Sequence, residues 1–245
     1  MLPLRDLNPT QRIPIANFTL IAINILVYFL FQAGLSMRES YALAMDWAVV
    51  PVTITRAGIT PESLLDIVRA MFMHGSIAHL AGNMLYLWIF GDNLEDRMGI
   101  PLYLLFYFAC GFAATFAQIA IDPASDIPML GASGAIAGVL GGYLVLFPRV
   151  RVRGLIFFGY FARMADLSAL WVLGFWFVLQ LLEGFASLGS LMGGGVAFFA
   201  HIGGFVAGVV LMWLFMLAVP QPPHHERHEL LYQRYDARRG RGGWY

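Results

Sequence analysis

Ser133 stands at the mouth of a helix in the stretch GASGAIAGVLGGY (131–143), otherwise built from glycine and small or branched apolar residues. A serine hydroxyl is a weak nucleophile until a neighbouring base takes its proton, and histidine, titrating near neutrality, is the usual base. His201, early in another apolar run, is a histidine of that kind. The tetrahedral oxyanion of acyl transfer also needs donors held ready for it. The Ser133 backbone N–H, at the positive end of a helix, is one such donor. His79 and Asn83, four apart in HLAGN and therefore on one helix face, are two more. Singly, each residue has an ordinary structural explanation; a serine in a membrane helix commonly bonds back to the preceding turn. Their joint occurrence is what points to a Ser-His pair with oxyanion donors, which must bring Ser133 and His201 within about 2.6–3.2 Å.

The elements that position these groups are membrane helices. Hydrophobic residues make up 59% of the 245-residue chain and charged residues only 12%, with a mean hydropathy of +0.70. A soluble domain carries about 25% charged residues to solvate its surface. Apolar stretches of spanning length fall near 17–35, 79–97, 101–120, 131–147, 168–187 and 196–219. The second ends in Asp92, Glu95, Asp96 and Arg97, so its apolar body stops near Phe90. The fourth, from Ser133 to Phe147, has 15 residues, roughly 22 Å of helix against a hydrocarbon core of about 30 Å. The first run is too long for a cleavable signal and is expected to remain as a helix.

Basic residues set the orientation. With the N-terminus cytoplasmic, the inner segments hold twelve arginines, with PRVRVR after the fourth span as the densest cluster, and the outer segments hold only Arg38, Arg56 and Arg69. Both termini are therefore expected on the cytoplasmic side. Spans two, four and six then run inward from the outer face, so His79, Asn83, Ser133 and His201 share one depth within the first turns of three helices. Polar groups in a span are costly and invite a functional hypothesis; the remaining ones are Gln118, Gln180 and Glu183. Glycines four apart, Gly134 and Gly138 in span four and Gly204 and Gly208 in span six, allow close backbone packing of the two helices.

The ordered set HGSIAHLAGNMLYLWIFGDNLEDRMG (74–99), GASG (131–134) and AHIGGFVAG (200–208) resembles the rhomboid family of intramembrane serine proteases, over roughly residues 69 to 215. The resemblance implies an all-α, six-helix bundle with a short central fourth helix, Ser133 as nucleophile, His201 as general base and later acid, and His79 and Asn83 as oxyanion stabilisers. His74 matches a further family histidine and is read as structural. Substrates implied are other proteins' transmembrane helices, with helix-destabilising and small residues at the cut, entering sideways near span five. Trp176, Phe177 and Gln180 are candidate gate residues together with the glycine-rich loop at 188–195. The fold divides into a cytoplasmic segment 1–16, a protease domain 17–219 and a polar basic tail 220–245, in a prokaryotic plasma membrane. No cofactor, metal or nucleic acid is expected, and lipid is the surrounding partner.

The chain departs from the family at three points. Position 137, where some members stack an aromatic on the base histidine, is Ala137, so support for His201 must come from elsewhere. The first outer loop, 36–78, has DWAVVP (46–51) in place of a Trp-Arg dipeptide. Glu183 has no role to carry over. Within that loop, TPESLLDIVRAMF reads as a helix capped by Thr60, opened by Pro61, with residues 64, 65, 68 and 72 on its apolar face.

Other readings fail on residues. The chain has no lysine for a Ser-Lys dyad, no HExxH zinc site and no mid-membrane aspartate pair. Its single cysteine, Cys110, forms no intramolecular disulfide. His224 and His228, four apart in the tail, read as solvated rather than as metal ligands. A non-catalytic rhomboid-like chaperone or dislocation factor, and a transporter with midplane polar sites, are the competing classes; the first typically lacks the nucleophile or the base, and the second is disfavoured by polar groups at the outer end of the helices.

Overall fold

In the computed structural model, residues 2–158, 161–188 and 197–218 are described. The chain opens with strand β1 (Leu2–Asp6), followed by helix α1 (Ile15–Val27), which widens into a π turn at Tyr28–Gln32. Three short helices follow, α2 (Met37–Trp47), α3 (Pro51–Ala57) and α4 (Pro61–Ala70). Each begins on a clear N-terminal signal: Ser36 with Glu39 forms a capping box at α2, Pro51 opens α3, and Thr60 with Ser63 caps α4. The remaining elements are α5 (Ile77–Met98), α6 (Ile100–Ile121), α7 (Ser133–Leu146), β2 (Arg151–Phe158), β3 (Phe161–Ser168), α8 (Ala169–Ser187) and α9 (Phe198–Ala218).

All six predicted apolar stretches are helical. Among the described residues, four helices are long and apolar enough to cross a membrane: Ile15–Gln32, α6, α8 and α9. Helix α5 has 22 residues but carries charges through its last turns, and α7, with 14 residues, is about 21 Å long. The protein is thus a mostly helical, multi-pass membrane protein.

It is not all-α. β1, β2 and β3 form a three-stranded antiparallel sheet in that order, built from the N-terminal segment and the arginine-rich stretch after α7. Arg153 pairs in register with Asp166 and binds it at 2.7 Å. In RVRVR the arginines alternate with valine, and Val152 is fully buried; that period of two is a strand pattern, overshadowed in the sequence by the charge cluster.

Helix α7 is the centre of the packing. Ten consecutive residues, Gly134 to Tyr143, are buried, walled by α5, α6 and α9. The approach to α9 is backbone to backbone: a Cβ at Gly204 would run into the Gly134 carbonyl, and one at Gly208 into that of Gly138. Close approach of this kind gives the two helices one register, which aligns their N-terminal ends.

Two further features place the outer helices. The Glu95 carboxylate accepts hydrogen bonds from Ala16 N–H at 3.0 Å and Asn17 N–H at 2.7 Å, capping α1 with a side chain from α5. Asn17 and Asn24, polar residues of the first span overlooked in the sequence, are fully buried; the Asn17 amide accepts from Tyr103 Oη and donates to the Leu87 carbonyl. On α4, Ile67 and Ala70 are buried against the protein, whereas Leu64 and Leu65 of the predicted apolar face are exposed. The helix turns Ile67 inward onto the cluster that includes Phe112 and Phe116 of α6, a contact that periodicity within ten residues does not select.

Candidate active site

Ser133 is the first residue of α7, and the contact of its hydroxyl is with another helix, at His201 Nε2. N–H groups of a helix's first turn have no intrahelical acceptor and point outward with the positive end of the dipole, so the Ser133 N–H is a donor of the predicted kind. Gly131, two residues earlier, has φ +125°, a conformation open to glycine. A Cβ at Gly131 would lie 2.9 Å from His79 Nε2 and 3.5 Å from Ser133 Oγ. The two functional atoms thus face one small space, and glycine there leaves it empty.

His201 lies in the first turn of α9, with Nε2 2.8 Å from Ser133 Oγ. That turn is held by Gln118 of α6, whose side-chain oxygen accepts from Ala200 N–H at 3.2 Å. His79 begins α5, where its own N–H is capped by Ser76 Oγ at 3.1 Å. Asn83, one turn further, is buried, and its Nδ2 has no hydrogen-bond partner among the described residues. A buried amide donor left open is costly in a fold, so Asn83 Nδ2 is free to donate to a bound acceptor.

His74 is buried at the entrance to α5. Gln32, at the end of the π turn, brackets its backbone, donating to the His74 carbonyl at 2.9 Å and accepting from His74 N–H at 3.0 Å. The His74 ring meets that of His79 edge-on, with centroids 5.1 Å apart, so it buttresses a ring that faces Ser133.

The three candidate gate residues all turn toward α9. Trp176 lies 6.1 Å from the His201 ring, Phe177 stacks on Phe205 at 4.4 Å, and Gln180 Oε1 lies 2.6 Å from His201 Nδ1. Glu183, without a role from sequence, lies 3.5 Å from Gln180 Nε2. Of the loop at 188–195, only Leu188 is described; the rest, and the tail histidines His224 and His228, lie outside the described residues. Among the described residues no cluster of histidine, cysteine or acidic side chains could hold a metal ion. A small cavity beside Ser133 is walled by Ile67, Met71, Ala114, Thr115, Met129 and Gly134.

Two signals in the sequence mark this geometry. The glycine of GASG at position 131 is required by its positive φ and by the nearness of His79, and Gln180 follows Trp176 by four residues, so that the two share one helix face.

Comparison with known proteins agrees with the architecture. The family model for the Rhomboid domain matches residues 61–218. The chain belongs to the rhomboid family. This rhomboid is 28% identical over 198 residues to Rhomboid protein 1, mitochondrial, of Saccharomyces cerevisiae, a match covering 79% of the chain and 54% of the yeast protein. It is 28% identical over 191 residues to Rhomboid protease GluP of Bacillus subtilis, covering 74% of the chain and 34% of that protein. Putative rhomboid protease YdcA of the same bacterium is 26% identical over 163 residues, covering 66% of the chain and 73% of the relative. The rhomboid chain thus spans about half, or less, of the length of the first two.

Proposed function

We propose that this rhomboid is an intramembrane serine protease that cuts peptide bonds in or near the outer end of other proteins' transmembrane helices. The observation that carries the reading is the 2.8 Å approach of His201 Nε2 to Ser133 Oγ, at the junction of two helices locked together by glycines. Ser133 Oγ attacks the scissile carbonyl carbon while His201 Nε2 takes the hydroxyl proton. The carbonyl oxygen becomes the oxyanion, met by Ser133 N–H, His79 and Asn83. His201 then gives its proton to the leaving amine, and the C–N bond breaks. Water, deprotonated in turn by His201, hydrolyses the acyl-serine ester and frees the enzyme.

The nucleophile must meet an extended peptide bond, because a helical carbonyl is engaged in the backbone ladder. Helix-destabilising residues in the substrate favour that state, and the small cavity beside Ser133, narrowed by Ile67, Met71 and Met129, favours a small side chain at the cut. Entry past α8 makes Trp176, Phe177 and Gln180 the gate.

The proposed topology has six spans, with α1 and its π turn, α5, α6, α7, α8 and α9 crossing in sequence and both termini cytoplasmic. The arginine asymmetry supports it, and it puts the three-stranded sheet on the inner side. Segment 1–16, protease domain 17–219 and tail 220–245 are its divisions. The proposed location is a prokaryotic plasma membrane; relatives come from a bacterium and from mitochondria.

The test is cleavage of a single-span model substrate in liposomes by the native chain, Ser133→Ala and His201→Ala at matched expression. Product from the native chain alone is expected. Equal product from all three would overturn the assignment, and binding without product in the native chain would point to a non-catalytic rhomboid-like chaperone.

A further inference from the structure

Helix α8 has four buried residues, Ala169, Leu173, Gln180 and Gly184, and Gln180 is the only polar one. Its two amide ends have different neighbours. Oε1 lies 2.6 Å from His201 Nδ1, a short and strong contact, while Nε2 lies 3.5 Å from Glu183 Oε2. The second contact is long, and its sign agrees with the first. A carboxylate only accepts, so the NH2 end of Gln180 belongs toward Glu183 and the carbonyl end toward the imidazole. A carbonyl oxygen also only accepts, so Nδ1 must carry the hydrogen. In a neutral imidazole that leaves the lone pair on Nε2, 2.8 Å from Ser133 Oγ, where the serine hydroxyl donates to it. The opposite tautomer would set a lone pair against the Gln180 carbonyl and an N–H against the hydroxyl that must lose its proton.

We propose that Gln180 is a positioning residue for His201: its carbonyl holds the imidazole in the Nδ1–H tautomer, with Glu183 fixing which way the amide faces. The proposal deepens the Ser133–His201 reading and rests on it for its catalytic meaning. It also answers the question raised by Ala137. That site, one turn beyond Ser133, offers the ring no aromatic face, and Trp176 meets it only at 6.1 Å and 37°, so among the described residues the directional hold on the ring, besides Ser133, is the bond from α8. His201 itself is carried by α9. The orientation of the base therefore depends on α8 remaining seated against α9, and a substrate that parts them lengthens a 2.6 Å bond.

Two readouts test this on the full-length protein in detergent. The first is the rate of covalent labelling by a fluorophosphonate probe, in which Ser133 Oγ bonds to phosphorus, fluoride leaves and His201 takes the proton. The second is nitrogen-15 NMR of imidazole-labelled protein, with the His201 signals assigned by their loss in His201→Gln. Gln180→Leu removes the acceptor at similar size. It is expected to slow labelling about 10- to 100-fold, the range found when a metal-bound histidine loses its orienting partner, and to turn a pure Nδ1–H signature into a mixture. Gln180→Glu keeps an oxygen against Nδ1; it is expected to recover most of the rate and the native signature, and it carries the test if the leucine variant misfolds. A leucine variant with native tautomer and native rate would overturn the proposal, as would leucine and glutamate variants equally slow with the native tautomer in both. The NMR signal is independent of serine reactivity. An unlabelled native protein whose His201 tautomer still follows Gln180 would refute the nucleophile and leave the positioning role intact.

Discussion

The hydroxyl of Tyr143 donates to Asp6 Oδ2 across 2.6 Å, joining the far end of the helix that Ser133 begins to the first strand of the chain. Asn93 Nδ2 donates to the same oxygen at 2.9 Å. Helix α7 is thereby held at both ends, by His201 at Ser133 and by the N-terminal segment at Tyr143.

That anchor is sensitive to pH. Burial pushes the Asp6 carboxyl from its ordinary 3.8 up to about 7, opposed by the Tyr143 hydrogen bond and reinforced by the Asp92 charge. Between those two values the folded chain keeps a proton that the unfolded chain has released, so stability falls as pH rises through that window. The melting temperature in detergent is expected to be higher at pH 5 than at pH 8, with Asp6→Asn flattening the difference. An unaltered slope in the variant would remove Asp6 as its source.

Asn83 separates activity from stability. Its buried Nδ2 lacks a partner among the described residues, so Asn83→Ala forfeits no hydrogen bond from Nδ2 to them and is expected to melt at or above the native temperature. Loss of an oxyanion donor lowers turnover by about 10²–10³-fold. Substrate cleavage read beside thermal unfolding checks both halves, and a variant that keeps native turnover would strike Asn83 from the oxyanion set.

Gly208 tests whether glycine packing sets the Ser133–His201 distance. Adding a Cβ drives it into the Gly138 carbonyl, and overpacking of this kind costs about 1–3 kcal/mol. Gly208→Ala is expected to melt earlier and to lose fluorophosphonate labelling, although the site is seven residues from His201. Gly174→Ala is the control: no atom of the described residues lies within 4 Å of its new Cβ, and alanine replaces glycine in a helix with a gain of about 0.5–1 kcal/mol.

Glu95 is assigned to the fold alone. Glu95→Ala leaves the buried N–H groups of Ala16 and Asn17 without their acceptor, which costs about 1–3 kcal/mol each. Glu95→Gln keeps an oxygen for one of them and is expected to fall between alanine and the native chain in denaturant unfolding. Equal stability of all three would mean that α1 is held by its apolar face.

Much of this was legible in the residues. Long apolar runs mark the helices because a backbone crossing lipid must satisfy its own hydrogen bonds, and Ser133, His201, His79 and Asn83 announce themselves as polar groups where polarity is expensive. The strands were harder. Five alternating residues in RVRVR read as a charge cluster, and their partner β1 lies nearly 150 residues away in sequence. The buried edge of α4 was hard for a similar reason: Leu64, Leu65 and Ile67 are all apolar, and Ile67 turns inward onto a cluster built from several other elements, Phe112 and Phe116 among them.

By itself the sequence determined the membrane setting, the family, the helices and the residue types of the site, since each follows from local composition or short-range spacing. Tertiary structure alone decided the 2.8 Å pairing of Ser133 with His201, the empty space at Gly131 that His79 faces, and the bond from Gln180 that orients the base. Those are relations between side chains on different helices, 68 residues apart for the first pair and 21 for the last. Such distances are set by where glycine lets two backbones touch, which emerges only once the helices are packed.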